Sequence, residues 1–254
     1  MIDTFVAEPT LAMSSAPAPS GAPSAAQGGA EKGADASNIV DVCINERVFG
    51  IRAADVDEHR SSASMLINKM YAWRGYGSNH QVGTDPNRIT LTASDKGHVI
   101  GTLSLGLDSE VGLLADQVFK DCIDPYRKNG RVCEIIKLAI DPEVKSKAVL
   151  ASLFHVAFIY ARDLNLCSDI FIEVNPRHRR YYETMLGFQV ECESRPNPRV
   201  DAPAVLLRGC TAYGTEQIAK LAGLQDQAND RSLFPYFFSP REEVGIINRL
   251  KSIG

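Results

Sequence analysis

No stretch of this 254-residue sequence approaches the roughly 18–20 consecutive apolar residues that a membrane-crossing helix needs, so no transmembrane segment is expected. The N-terminus also lacks the positive charge and apolar run of a secretory signal; Asp3 and Glu8 stand there instead. A cytoplasmic location is the expectation. Charge of one sign is scarce: the formal net charge is only -4, which gives no global field for nucleic acid, and no nucleic-acid partner is expected. The six cysteines, at 43, 122, 133, 167, 192 and 210, include no C-x-x-C pair and no histidine at ligand spacing. They read as reduced, mostly buried thiols, with neither a metal site nor a disulfide frame.

What is present divides the chain into three parts. Residues 1–37 are an Ala/Pro/Ser/Gly-rich leader that cannot bury enough apolar surface to offset its ordering entropy, and disorder is expected. Residues 38–211 carry the pattern of one domain, and residues 212–254 form a helical extension with an aromatic cluster, LFPYFF, at Leu233–Phe238. Within the domain, Ile39 to Arg52 reads as one strand. Ala63, Leu66, Ile67, Met70 and Tyr71 follow the spacing of a half-buried helix. Arg88 to Ala93 and His98 to Leu107 are strands around a Ser94–Gly97 hairpin turn. A long irregular stretch with one short helix follows, then a strand from Val132 to Ile140. Leu150, Leu153, Phe154, Ala157, Phe158 and Ala161 form the apolar stripe of a helix. Asp169 to Val174 is a buried strand, Asn175 caps the helix after it, and two final strands run near Phe188 to Glu193 and Val205 to Arg208. Further helices are expected near Thr215–Leu224 and Pro240–Ile253. This order gives an α+β mixed sheet with helices packed on it.

The segment VNPRHRRYYETMLGF, Val174 to Phe188, is the densest in information. Asn175 offers a side-chain oxygen to the first turn of a helix, Pro176 fits its first position, and Gly187 suits a left-handed end. With the blocks His98–Phe119 and Gly130–Pro142, this segment resembles the long-chain N-acyl amino acid synthases, a GNAT-like branch related to the acyl-homoserine-lactone autoinducer synthases. The resemblance implies a mixed, mostly antiparallel central sheet flanked by helices. It also implies an N-acyltransferase that moves a fatty acyl group from a thioester to the amino group of an amino acid. Its donor would ride on the phosphopantetheine of acyl carrier protein, with no bound cofactor. Acyl-CoA is the alternative donor, a lactone-type synthase is another reading, and an acyl-binding sensor domain is the non-enzyme one. In ordinary acetyl-CoA enzymes of this fold a Gly-rich turn cradles the pyrophosphate. The corresponding run Asp141–Ala148 has no glycine and two acids, which favours the carrier protein.

Glu134 interrupts an apolar strand, and a desolvated acid there would serve as a base. A solvent-edge glutamate paired to Arg131 or Lys137 would look the same. By strand alternation Glu134 and Ile136 share one face, Ile135 and Lys137 the other. The autoinducer synthases also carry an acid followed three residues later by a base, matched by Glu134 and Lys137. The resemblance makes Tyr182 the acid that protonates the leaving thiol, with Tyr181 as substitute; a core aromatic is the plain alternative. Arg177, His178, Arg179, Arg180, Lys145 and Lys147 are candidates for the carrier protein or its phosphate, extended by Lys120, Arg127, Lys128 and Arg131, although a solvated helix face explains the arginines too. Arg74 and Arg88 are candidates to grip the amino acid's carboxylate, with Asn175 beside them. Leu105, Leu107, Leu113, Leu114 and Phe119 could line an acyl tunnel, as readily as pack a core.

Overall fold

The computed structural model describes residues 40–44, 47–73, 75–76 and 79–253. The leader expectation and Arg74 lie outside the described residues. The expected first strand is two, β1 (Val40–Ile44) and β2 (Arg47–Ala53), paired antiparallel with Ile44 opposite Arg47. In the sequence the polar pair Asn45-Glu46 separates the two apolar runs. Helix α1 (Asp57–Trp73) starts with Asp57 and Glu58, which suit the positive end of its dipole. It buries Ala63, Leu66, Ile67, Met70 and Tyr71. Strands β3 (Arg88–Asp95) and β4 (His98–Leu107) form the expected hairpin. Lys96 and Gly97 take φ of 49° and 82°, the left-handed pair that a two-residue hairpin turn requires.

Helix α2 (Asp116–Arg127) leads to β5 (Arg131–Ile140), then α3 (Lys147–Ile159), which runs on into a π-helical turn at Tyr160–Leu164. The expected apolar stripe of α3 is in fact burial all round, from Ala148 to Ile159. The sheet covers one side and the C-terminal extension the other. Strand β6 (Cys167–Val174) and a 3₁₀ turn at Pro176–His178 precede α4 (Arg179–Leu186). Asn175 caps this turn by accepting the Arg177 N–H at 3.2 Å, and Gly187 ends α4 at φ 69°. Strands β7 (Gln189–Asn197) and β8 (Ala202–Cys210) close the sheet. Then come α5 (Thr211–Leu221) and α6 (Pro240–Ile253).

The eight strands lie in the order β1-β2-β3-β4-β5-β6-β8-β7, antiparallel except for β5 beside β6. This is the mixed, mostly antiparallel sheet flanked by helices that the resemblance implies. Helices α3, α4 and α5 and the aromatic cluster pack on one face. Helices α2 and α1 pack on the other, through Phe119 and Ile123 of α2 and Ile67 and Tyr71 of α1. One expectation for the cysteines is corrected. Cys133 and Cys167 are buried free thiols and Cys210 is half-buried, but Cys122 of α2 and Cys192 of β7 form a disulfide with Cα atoms 6.3 Å apart. Packing α2 across β7 brings together two residues separated by 70 positions, which spacing along the chain could not reveal.

Candidate active site

The parallel pair β5–β6 does not run its full length. Its register goes from Arg131 opposite Cys167 to Ile135 opposite Ile172, while β5 continues to Ile140 and β6 to Val174. Beyond Ile135 and Ile172 the strands part. In the same stretch β5 carries a bulge against β4, between the pairs Ile136–Ser104 and Ala139–Thr102, and Lys137 takes φ 52° there. A bulge adds one residue and resets the alternation of side chains. Lys137 therefore reaches the Gln81 carbonyl in the loop after α1, on the α1–α2 side of the sheet. That corrects the sequence reading, which put Lys137 on the face opposite Glu134.

Glu134 lies on the α1–α2 face and is 1% exposed. Its carboxylate accepts the N–H of Leu114 at 2.7 Å and of Ala115 at 3.0 Å, so it anchors the segment that leads into α2. Burial pushes its pKa up, opposed by those two N–H groups and by Arg88 and Arg199. Arg88, Gly106 and Glu134 stand in one row across β3, β4 and β5. A Cβ on Gly106 would meet Glu134 Cγ at 3.1 Å and Oε1 at 3.2 Å, so the glycine makes room for the carboxylate. Arg88 is half-buried, and its Nε has no hydrogen-bond partner among the described residues.

A second buried acid, missed by the sequence reading, lies on the same face. Glu173 is on β6, one residue past the last pair with β5, and is fully buried. It accepts from Asn197 Nδ2 and Arg199 Nη2, and Arg199 also donates to the Leu114 carbonyl at 3.0 Å. Burial raises its pKa to about 7, helped by the nearby Glu134 and opposed by Arg199 and Asn197. The Leu114 peptide is thus held from both sides, its N–H by Glu134 and its C=O by the arginine that Glu173 holds. The available signal was an acid inside the apolar run IFIEV, the same kind that singled out Glu134. Asn197 and Arg199 had no such signal.

On the opposite face, Tyr182 of α4 is fully buried within the cluster that includes α3. Leu186, one turn further along α4, lines an apolar cavity of about 40 Å³ together with Ile135, Ile170, Phe154, Phe234 and Phe237. The expected tunnel is corrected: Leu105 and Leu107 pack on this face, but Leu113 and Phe119 pack on the other, so they share no channel. Phe119 and Leu105 are fully buried core residues. Asn175 is engaged as the cap described above.

Both β5 and β6 end on the side where they part, and the candidate basic residues follow these ends. Arg177 and Arg180 are exposed, as is Lys145, which donates to Pro142 O. Three of the set are differently occupied than a solvated patch implies. His178 is buried, Arg179 pairs with Glu183 at 2.8 Å, and Lys147 lies 5.6 Å over the Tyr236 ring. Lys120 and Arg127 do not extend the patch, because Asp124, Asp108 and Asp116 neutralise them on α2. In the turn after β5, Asp141 accepts the Glu143 N–H at 3.0 Å and pairs with Lys69, and Ser146 accepts the Ala148 N–H at 3.2 Å. Among the described residues one group, Asp121, Cys122 and Cys192, has the donor types of a metal site, and its two sulfurs are bonded to each other.

The sequence of residues 62–210 matches the model of a family described as N-acyl amino acid synthase FeeM. The chain is similar in fold to the structure of FeeM, an N-acyl amino acid synthase from uncultured soil microbes. Identity is 22%, the TM-score is 0.58, and the match covers 66% of this chain and 93% of that one. An acyl-CoA N-acyltransferase from Pseudomonas aeruginosa matches at 16% identity and a TM-score of 0.45, over 63% of this chain and 97% of that one. No curated protein matches the sequence.

Proposed function

The chain belongs to the FeeM family of N-acyl amino acid synthases and is an N-acyltransferase, and from that premise we propose that it acylates the α-amino group of an amino acid with a long-chain fatty acyl group taken from acyl carrier protein. The observation that carries this reading is the opening between β5 and β6. The sheet beside it carries a buried acid pair, Glu134 and Glu173, on one face, and on the other the buried Tyr182 and an apolar cavity lined by Ile135 and Ile170. The thioester would lie in the opening, with its acyl chain towards the cavity and the amino acid on the acid face.

Glu173, as carboxylate, takes a proton from the amino group, and the nitrogen lone pair then attacks the thioester carbonyl. A pKa near 7 suits that task, because base strength and the ionised fraction are then both useful at neutral pH. Both acids have each oxygen hydrogen-bonded, but the partners of Glu173 are side chains, whereas those of Glu134 are backbone N–H groups that it fixes at the start of α2, so the base role expected for Glu134 passes to Glu173. Backbone N–H groups on β5 beyond Ile135 would hold the oxyanion, where one such donor is worth about 3 kcal/mol. As the C–S bond breaks and the new C–N bond is kept, Tyr182 gives its phenolic proton to the departing thiolate; the second proton that the attacking nitrogen must lose to become an amide restores the tyrosine, and the proton on Glu173 is released to solvent when the product leaves. Arg88, with its unpaired Nε, would hold the amino acid's carboxylate.

Carrier protein rather than free CoA is supported by the turn after β5. Side chains of Asp141 and Ser146 already take N–H groups there that a pyrophosphate would need. Lys145, Arg177 and Arg180 offer cations to the acidic surface and phosphate of a carrier. The deciding experiment incubates the purified protein with long-chain acyl carrier protein or with acyl-CoA of the same chain length. A pool of amino acids is present, and amides are read by mass spectrometry. Amide from the carrier donor alone is expected. Amide from acyl-CoA alone would replace the donor assignment, and no amide from either would defeat the proposal.

A further inference from the structure

The family match ends at residue 210, and the chain continues with α5, a 3₁₀ turn at Phe234–Tyr236 and α6. This extension supplies one wall of the apolar cavity. Phe234 and Phe237, with Tyr213 and Gly214 of α5, line the cavity together with Ile135 of the sheet and Leu186 of α4. The two phenylalanines are not loosely placed. Leu233 N–H donates to Met185 O at 2.9 Å, and Phe238 N–H donates to His155 Nδ1 at 2.9 Å. The Phe237 carbonyl itself accepts the Gly223 N–H at 3.0 Å. Each ring is fixed by backbone hydrogen bonds on it or directly beside it.

The cavity is small for its expected occupant. About 40 Å³ is room for about three or four waters, since one needs roughly 10–15 Å³. Only the last few carbons of a chain fit before the wall is met. At such a wall one methylene more or less is felt, because packed interiors do not stretch. Gly214 is part of the fit: a Cβ there would come within 2.5 Å of the Phe158 ring, another lining residue, so an added methyl takes space at the lining itself.

We propose that the C-terminal extension is a length gauge for a straight fatty acyl chain, with Phe234 and Phe237 as the stop that sets the longest chain accepted. The proposal rests on the reading that an acyl chain enters this cavity from the β5–β6 opening. The extension, not the family core, then gives this chain its own acyl selectivity.

The test measures binding of a graded series of straight-chain fatty acids to the full-length protein, and amide formation from the matching thioesters. Affinity should rise about fourfold per buried methylene and then level off where the chain meets the wall. In Phe237→Ala the levelling point should move to chains about three methylenes longer, and in Gly214→Ala to shorter ones. Phe234→Leu, a smaller cut, should give a smaller shift towards longer chains, and thermal unfolding of each variant identifies any that fail to fold. A levelling point shared by all folded variants, or no binding of any chain length by the unaltered protein, overturns the gauge. The two readings fail separately. Amides with the same length profile in every variant sink the gauge and keep acyl transfer; fatty-acid binding with a movable stop but no amide keeps the gauge and sinks acyl transfer.

Discussion

Glu173 is a carboxyl group placed where water does not reach, within hydrogen-bond contact of one amide and one guanidinium. Its pKa of about 7 makes a specific demand on activity. If it is the base, kcat/KM should rise with pH through a limb near 7, as the carboxyl ionises. Glu173→Gln keeps the shape but cannot take a proton, so kcat should fall about 10²–10⁴-fold and the limb should vanish. A purely structural glutamate would lose stability in this variant and keep the limb. Gly106→Ala probes the other acid. Its new Cβ lies 3.1 Å from Glu134 Cγ, and Glu134 cannot yield freely because two N–H groups hold it. A loss of about 1–3 kcal/mol in urea unfolding is the expected cost of such overpacking. At this scale the sequence was partly legible. Glu134 and Glu173 both break apolar runs, so the acid in each strand is visible in the sequence although its partners are not. Asn197 and Arg199 were invisible because their tie to Glu173 spans 24 and 26 residues and exists only once β8 has paired with β6.

Among the elements, the join between α3 and the C-terminal extension is the most exposed to pH. His155 of α3 is fully buried, and its Nδ1 accepts the Phe238 N–H, so its proton sits on Nε2, facing Glu243 Oε1 of α6 at 3.5 Å. Arg162 and Asp163 complete the charges around it. Burial lowers the His155 pKa, more than Glu243 raises it. A detached His155 would titrate near its ordinary value of about 6.5 and so bind more protons than the packed one below that pH. The join is therefore stable above about pH 6.5 and weakens as pH falls from there towards the packed-state pKa. Protonation of Nδ1 would also abolish the acceptor for Phe238. Amide exchange over residues 233–253 should accelerate between pH 7.5 and 5.5 relative to the sheet after correction for intrinsic rates; equal protection at both would refute the latch. Helix and strand identities were largely legible, because apolar spacing and caps are local. The bulge at Lys137 was not, since one added residue in a ten-residue strand leaves no mark in composition, yet it moves Lys137 to the other face.

For the whole molecule, the net charge of -4 has the same sign as an acidic carrier protein, so any attraction must be local. Lys145, Arg177 and Arg180 at the ends of β5 and β6 are exposed and therefore readily screened. Raising salt from about 0.05 to 0.5 M shortens the screening length severalfold. With a carrier-bound donor kcat/KM should fall severalfold over that range, chiefly through KM, and a protein-free acyl-phosphopantetheine should lose much less. Equal salt dependence for both donors would remove the docking role of these cations.

What the sequence determined by itself is the local and the periodic: the helices, the hairpin, the Asn175 cap and the Gly187 end of the segment around α4, and the family signature that runs through residues 62–210. Hydrophobic spacing and capping chemistry act within a few residues, so a linear reading recovers them. Only the tertiary structure decided which side chains meet. It split the expected tunnel residues between two faces, joined Cys122 to Cys192, tied Glu173 to Arg199, and set Phe234 and Phe237 around one cavity with Ile135. Each of these is a contact between segments far apart in the chain, set by strand order, register and one bulge, and a sheet fixes those only when it closes.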